Sequence, residues 1–348
     1  MTSEPAISKF NAANSAFDSL ALLNKAASDA LRLEVLRVLH NNAYGVLELC
    51  HILDVKQSAL SHHLKILAQT ELVSTRREGN SIFYRRQSPG NDDPLQLLQQ
   101  VLFNSIDAQP LHAEITARIQ QIQQDRAASS ASFFRQQADS FEQQQERIAT
   151  YSLYGNGVMD LLQKSSLKNF NCALEVGSGN GEYLAELSPV FKQVLALDNT
   201  REMLTRAQKH TEALKLSNIE FLHSDTHQAT QLAGKKKIHA DCVVLNMVLH
   251  HTPAPADIFN DVFQLMNNDG VLLITELCRH NQDWAKDACG DLWLGFEPDE
   301  LITWANSAGF IQHHSVYHAL RNGFQIQMHS FFKRSITHNT SHQPKHFH

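Results

Sequence analysis

The stretch Ala173-Leu-Glu-Val-Gly-Ser-Gly-Asn-Gly-Glu-Tyr-Leu184 places an apolar run directly before three alternate glycines, and a helical pattern follows them. Glycine lets a backbone take positive φ and pass close to a ligand, and the first turn of the next helix presents unpaired N–H groups. The pattern predicts a strand, a turn and a helix built to hold a nucleoside ligand at Glu175, Gly177, Ser178, Gly179 and Gly181. A plain tight turn would use the same glycines, so the residues further along decide.

Apolar runs recur at 194–197, 219–222, 242–245 and 271–274, separated by helical stretches. That spacing suits helix crossovers and hence a parallel βαβ sheet. Asp198, with Asn199 beside it, ends the second run, where a carboxylate can accept both ribose hydroxyls. Asp225, followed by Thr226, ends the third at a place suited to an adenine amino group. The fourth run leads into Asn246 and then His250 and His251.

These residues together resemble the class I S-adenosylmethionine-dependent methyltransferases over about residues 133–332. Glu175, Gly177, Gly179 and Gly181 fill every slot of that family's (Asp/Glu)-x-Gly-x-Gly-x-Gly motif, and Asp198, Asp225 and the 246–251 stretch fall at its next three. The resemblance implies a Rossmann-like α/β domain with a mostly parallel seven-stranded sheet and S-adenosylmethionine as cofactor. It also implies that Glu175 holds the methionine ammonium through water, with Asn246 near the same group. A dinucleotide is the rival ligand, but the spacing is GxGxG rather than GxGxxG and Glu175 would repel a pyrophosphate.

The methyl acceptor, expected to be a small molecule, is less legible. Transfer to a soft or anionic nucleophile needs alignment and water exclusion more than a base. His250, His251 and Asp291 are the catalytic candidates, although one histidine capping a strand is an equally ordinary role. Asp291 and Trp293 are placed to line the acceptor pocket, while Trp293 and Phe296 serve the core equally well. Phe133, Phe134, Phe141, Tyr151 and Tyr154 serve either a lid or helix packing.

Upstream, residues 46–67 hold two helical patterns broken at Asp54-Val55, a helix-turn-helix arrangement. Leu60, Leu64 and Leu67 share one face of the second helix, which leaves Gln57, Ser58, Ser61, His62 and Lys65 for bases and phosphates. Two β-prone runs then flank Gly79-Asn80 and predict a hairpin. Arg76, Arg77 and Arg85 are the candidate phosphate contacts on it.

This half resembles the ArsR-type winged-helix repressors over about residues 17–124. The resemblance implies a double-stranded DNA operator and a homodimer built by the first and last helices, with Leu20, Leu23, Leu95, Leu98, Val101 and Leu102 as candidates. Many members sense metal through a Cys-x-Cys pair, but those positions here hold Gly45 and Leu47, with Cys50 nearby. Asp107, His112 and Glu114 are explained as well by an exposed face, and the tail histidines His338, His342, His346 and His348 by a flexible end. No metal site is expected.

The boundaries expected are a winged-helix DNA-binding and dimerisation domain over 15–125, a Gln-rich helical linker or lid over 126–150, a methyltransferase domain over 151–334 and a tail over 335–348. At 348 residues two cores are the default. The net charge of −6 excludes a chain coated in basic charge, yet the hairpin region is locally basic. Five scattered cysteines without CxxC spacing, no secretion-type leader and no long apolar run point to the cytoplasm and to no membrane partner.

Three functions fit: a DNA-binding transcriptional regulator fused to an S-adenosylmethionine-dependent methyltransferase, a non-catalytic regulator that senses S-adenosylmethionine or S-adenosylhomocysteine, and an arsenic methyltransferase with its own repressor. The last needs several thiolates at the acceptor, and only Cys278 and Cys289 are placed to supply them.

Overall fold

A computed structural model describes residues 16–78, 81–87, 94–232, 234 and 237–334. It divides into two compact units at Gln123/Gln124. The hairpin turn at Gly79-Asn80 and the tail histidines lie outside the described residues.

The first unit runs α1 (Ala16–Ala27), α2 (Ala30–Val38), β1 (Tyr44–Gly45), α3 (Val46–Leu53), α4 (Gln57–Gln69), β2 (Val73–Glu78), β3 (Ser81–Arg86), α5 (Gln96–Asp107) and the start of α6 (Ala113–Ile148). Asp29 caps α2 by accepting the Arg32 N–H at 3.0 Å, which satisfies one of the orphan donors of a helix start. The break between α3 and α4 comes at Asp54, which takes a left-handed conformation with φ 55°. Leu60, Leu64 and Leu67 of α4 are fully buried against Leu36, Leu49 and Ile52, each contributing roughly 1.5–3 kcal/mol of burial. A three-stranded sheet in the order β1-β3-β2 completes the winged helix-turn-helix.

One polar cluster ties the wing to α5. Arg86 on β3 donates to both carboxylate oxygens of Asp107, at 2.7 and 2.8 Å, and lies over the Phe103 ring. His40 stands 2.8 Å from the same carboxylate. Burial pushes the Asp107 pKa up, but the Arg86 hydrogen bonds and charge outweigh it and hold it below the usual range. Burial and then the Arg86 charge lower His40. Both shifts work in one direction: stability that Asp107 supplies above its ordinary pKa is lost in acid, and His40 resists the proton that the unfolded chain accepts near 6.5. Asp107→Ala leaves the part-buried guanidinium without its carboxylate, so urea denaturation should show this unit losing roughly 1–3 kcal/mol. It should also show a weaker acid dependence than the parent, and an unchanged midpoint would disprove the coupling.

The second unit continues α6 and adds α7 (Tyr151–Lys164), β4 (Cys172–Val176), α8 (Glu182–Leu187), β5 (Gln193–Asp198), α9 (Arg201–Ala213), β6 (Ile219–His223), α10 (Thr226–Thr230), β7 (Ala240–Asn246), a 3-10 turn at Leu249–His251, α11 (Pro255–Leu265), β8 (Met266–Leu277), α12 (Trp284–Cys289), α13 (Pro298–Ala308), β9 (Phe310–Ala319) and β10 (Gln325–Lys333). The sheet order is β6-β5-β4-β7-β8-β10-β9. Strands β4 to β8 are parallel, and β10 runs antiparallel between β8 and β9. The order reverses between β4 and β7, and clefts for ligands open at the carboxyl ends of strands at such a switch point. The central strands are buried on both faces, from Ala173 and Leu174 to Val243 and Val244. The segment expected as a linker, 126–150, is the later part of α6 with the turn that follows it.

Candidate ligand site and nucleic-acid interface

Strand β4 ends at Glu175-Val176, and Gly177 continues the sheet by donating its N–H to the Leu197 carbonyl at 2.8 Å. Gly177 has φ 71°, and a Cβ there would collide with Val248. Gly181 has φ 82°, and a Cβ would stand 3.0 Å from the Ala207 backbone. Glycine is therefore required twice, once by the loop after β7 and once by the packing of α9.

The turn leaves buried polar atoms without partners among the described residues: Glu175 Oε2, Ser178 Oγ and both side-chain polar atoms of Asn246. Such groups are costly unless something pairs with them. They stand at the ends of β4 and β7, the two strands that flank the switch point. The buried Tyr151 hydroxyl on α7 is likewise without a partner there. Burial holds Glu175 well above the usual carboxylate range, with the charges of Asp198 and Glu182 adding to it. Asp198, at the end of β5, is pushed up to about 6 by burial against the lowering effect of Thr200, whose N–H it accepts at 2.8 Å.

Other expected positions carry structural duties. Asp225 caps α10, accepting the Gln228 N–H at 2.7 Å. The Thr226 hydroxyl donates to Asp261 at 2.7 Å and is buried. Asn199 accepts from the Thr200 hydroxyl at 3.1 Å.

His250, His251 and Asp291 are brought together. Fully buried Glu276, at the end of β8, stands 2.5 Å from His250 Nδ1 and also accepts the His250 and Leu277 N–H groups. His250 Nε2 lies 3.9 Å from Asp291 Oδ1, and His251 Nδ1 lies 3.6 Å from the same oxygen. Burial disfavours a charged His250, but the Glu276 and Asp291 carboxylates outweigh it and raise its pKa to about 9. Burial, then the charge of His250, holds His251 well below its usual value. Glu276 was not among the expected residues. Its only trace in the sequence is an acid that interrupts the apolar run of β8.

Trp293 is buried and donates its ring N–H to the Thr252 carbonyl at 2.8 Å, and Phe296 is core. Phe133 on α6 packs against Gly290, while Ser130 and Arg126 of the same helix donate to the His251 and Pro253 carbonyls. The side chains of Phe134 and Phe141 lie outside the described ones. Cys278 and Cys289, expected near the acceptor, are buried, and burial pushes their thiols up to about 11 and 12. Their burial argues against the set of accessible thiols that an arsenic acceptor needs.

On the first unit, Gln57, Ser58, Ser61, His62 and Lys65 all lie exposed on α4, opposite its leucines. Residues 29–75 match the bacterial regulatory protein, arsR family. The same region is 35% identical over 82 residues to the arsenical resistance operon repressor of Staphylococcus aureus, across 24% of this chain and 79% of that protein. The chain belongs to the arsR family of bacterial regulatory proteins.

This arsR-family chain also carries a methyltransferase domain, matched over residues 169–317. It is 24% identical over 183 residues to the ubiquinone biosynthesis O-methyltransferase of Yersinia pestis, across 48% of this chain and 74% of that enzyme. It is also similar, with a TM-score of 0.43 and 16% identity, to the N-methyltransferase NodS of Bradyrhizobium japonicum, covering 57% of this chain and all of that one. Among the described residues of the regulator, no helix is long and apolar enough to cross a membrane.

The arginines of the wing divide by environment. Arg76 is buried and pairs with Glu78, Arg85 donates to Ser74 at 3.1 Å, and Arg77 is exposed. Arg77→Ala should weaken binding to every duplex and lower the salt slope by about one. Arg76→Ala should instead lower thermal stability and leave that slope alone. Fluorescence anisotropy at several salt concentrations checks both, and a slope unchanged in Arg77→Ala would remove it from the interface.

Proposed function

We propose that the chain is a dimeric DNA-binding transcriptional regulator whose methyltransferase domain binds S-adenosylmethionine and transfers its methyl group to a small molecule. The observation that carries this reading is the set of buried polar groups at Glu175, Ser178 and Asn246 without partners among the described residues, around a turn where a Cβ at Gly177 cannot fit. The residues fit the donor. Glu175 would hold its ammonium and Asp198 its ribose hydroxyls, with Ser178, Gly179, Asn199, Asp225, Thr226 and Asn246 beside them. When bound, the donor supplies an electrophilic methyl group on a sulfonium. The chain's part is to orient it and exclude water. His250 and His251 follow β7 and Asp291 follows α12, and the acceptor is placed beside this cluster.

The dimer is supported by apolar side chains left exposed on α1 and α5: Phe17, Leu22, Leu97, Leu98 and Val101. Of the six expected contacts, Leu23 is already buried in the protomer core.

A sensor reading has its own support. In the second unit, α6 holds the loop after β7 through Arg126, Ser130 and Phe133, so a ligand bound at the end of β7 has a route to the helix that precedes the methyltransferase domain. A ligand shifts a two-state equilibrium only by its differential affinity. The test is a gel-shift titration of operator DNA with the chain alone, with S-adenosylmethionine and with S-adenosylhomocysteine, beside calorimetry of both ligands. Donor binding with equal DNA affinity in all three states supports the enzyme and removes the sensor. No donor binding at all overturns both readings.

A further inference from the structure

The geometry points to a site for a first-row divalent cation of the zinc class, held by His250, His251 and Asp291 in the second unit. One ligand atom from each of these residues lies within 4.8 Å of the other two. Donors around a single ion at about 2.0–2.2 Å stand roughly 3–4 Å apart, close to the 3.9 Å from His250 Nε2 to Asp291 Oδ1 and the 3.6 Å from His251 Nδ1 to the same oxygen. His251 Nδ1 also stands 3.4 Å from the Gly290 carbonyl, a contact and a proton it would give up on binding an ion.

The residue behind the triad favours the same chemistry. Metal-bound histidines commonly give their second ring nitrogen to a carboxylate, which fixes the tautomer and turns the other nitrogen toward the ion. Glu276 meets that description. It is fully buried and sits 2.5 Å from His250 Nδ1, leaving Nε2 on the side of Asp291 and His251. The backbone is fixed as well, since the His250 carbonyl accepts the N–H groups of both Leu292 and Trp293, at 2.9 and 3.1 Å. That pins the loop bearing Asp291 to the turn bearing the histidines. The local charge is complementary: the carboxylates of Glu276 and Asp291 are buried at the site, and a dication that displaces the proton of His250 would offset them. Two nitrogens and one carboxylate favour zinc, cobalt or iron over calcium or magnesium. Three protein ligands leave a position for water or for an oxygen of the methyl acceptor. Neither the arsR-family signature nor the methyl donor is needed for this site, so its test is independent of the proposed function.

The test is a Co2+ titration of the full-length chain in which the four tail histidines, His338, His342, His346 and His348, are replaced by serine. Visible d–d absorption should saturate at one ion per chain and be displaced by Zn2+. His251→Gln and Asp291→Asn should each weaken Co2+ binding at least tenfold with the fold retained by circular dichroism. Glu276→Gln should keep the spectrum and weaken binding by about 10–100-fold, as expected of a residue that orients a ligand. Absence of a saturable spectrum in the tail-substituted chain, or a spectrum untouched in both His251→Gln and Asp291→Asn, overturns the site.

Discussion

Glu175→Gln is expected to weaken S-adenosylmethionine binding roughly 10–100-fold, the loss of one charge-assisted contact of about 1.5–3 kcal/mol, while making the ligand-free chain more stable. The two effects share one cause. Without a ligand, the Glu175 carboxylate is buried beside Asp198 and Glu182, so its ionised form is a burden on the fold that the unfolded chain does not carry. Glutamine keeps the shape and drops the charge, and the melting temperature at about pH 8 should rise by about 3–6 °C for a unit of this size. Asp198→Asn should act alike, by roughly 1–3 kcal/mol. For Asp198 the native pKa of about 6 lies above the ordinary 3.8, so the folded chain holds its proton longer and ligand-free stability falls as pH rises across that window. Ligand affinity runs the other way. The ribose needs the carboxylate, so binding should weaken as pH falls below about 6, and Asp198→Asn should flatten that profile. Calorimetric titration and melting curves check both variants. A Glu175→Gln chain that binds as tightly as the parent, or melts lower, would show that Glu175 does not hold the donor's ammonium from a buried, ionised state.

The largest loss of stability is expected from Glu276→Ala. Glu276 accepts the backbone N–H groups of His250 and Leu277 and stands against the His250 ring, all at a fully buried position. Removing one partner of a buried charged pair costs about 3–5 kcal/mol, because the other remains buried without it. For the second unit that corresponds to a fall in melting temperature of roughly 10 °C. The loop after β7 should loosen first, since the His250 carbonyl also anchors the 291–293 segment. Hydrogen exchange would show faster labelling at 249–252 and 290–293 than elsewhere. A loss below about 1 kcal/mol would mean the pair is replaceable.

How far these roles were legible depends on the range of the interactions. Strand, turn and helix around Glu175 follow from local chemistry, and so does the buried face of Leu60, Leu64 and Leu67, because periodicity reports which side of an element is covered. The parallel sheet is nearly as legible, since crossover helices force parallel neighbours, whereas the place where the strand order reverses is not. What periodicity cannot report is which polar groups meet. Glu276 and His250 are 26 positions apart, and Arg86 and Asp107 are 21. Arg76 reads as a surface cation in the sequence yet is buried beside Glu78. In strand β2 the burial pattern departs from simple alternation at Thr75 and Arg76, and no local rule foresees that. Thr226 is similar: its position in the motif suggests a ligand contact, while its hydroxyl is taken by Asp261.

The carboxylates buried at the ends of β4 and β5 also bear on the lifetime of the chain. A fold that buries carboxylates at a desolvation cost opens more often, and each opening exposes backbone to proteases. Ligand present at about one hundred times its dissociation constant would add about 2.7 kcal/mol to the native state, enough to make such openings roughly a hundredfold rarer. Copies made while the ligand is scarce would be degraded sooner. The amount of regulator in a cell would then follow ligand supply, through turnover of the protein itself and separately from any change in its grip on DNA.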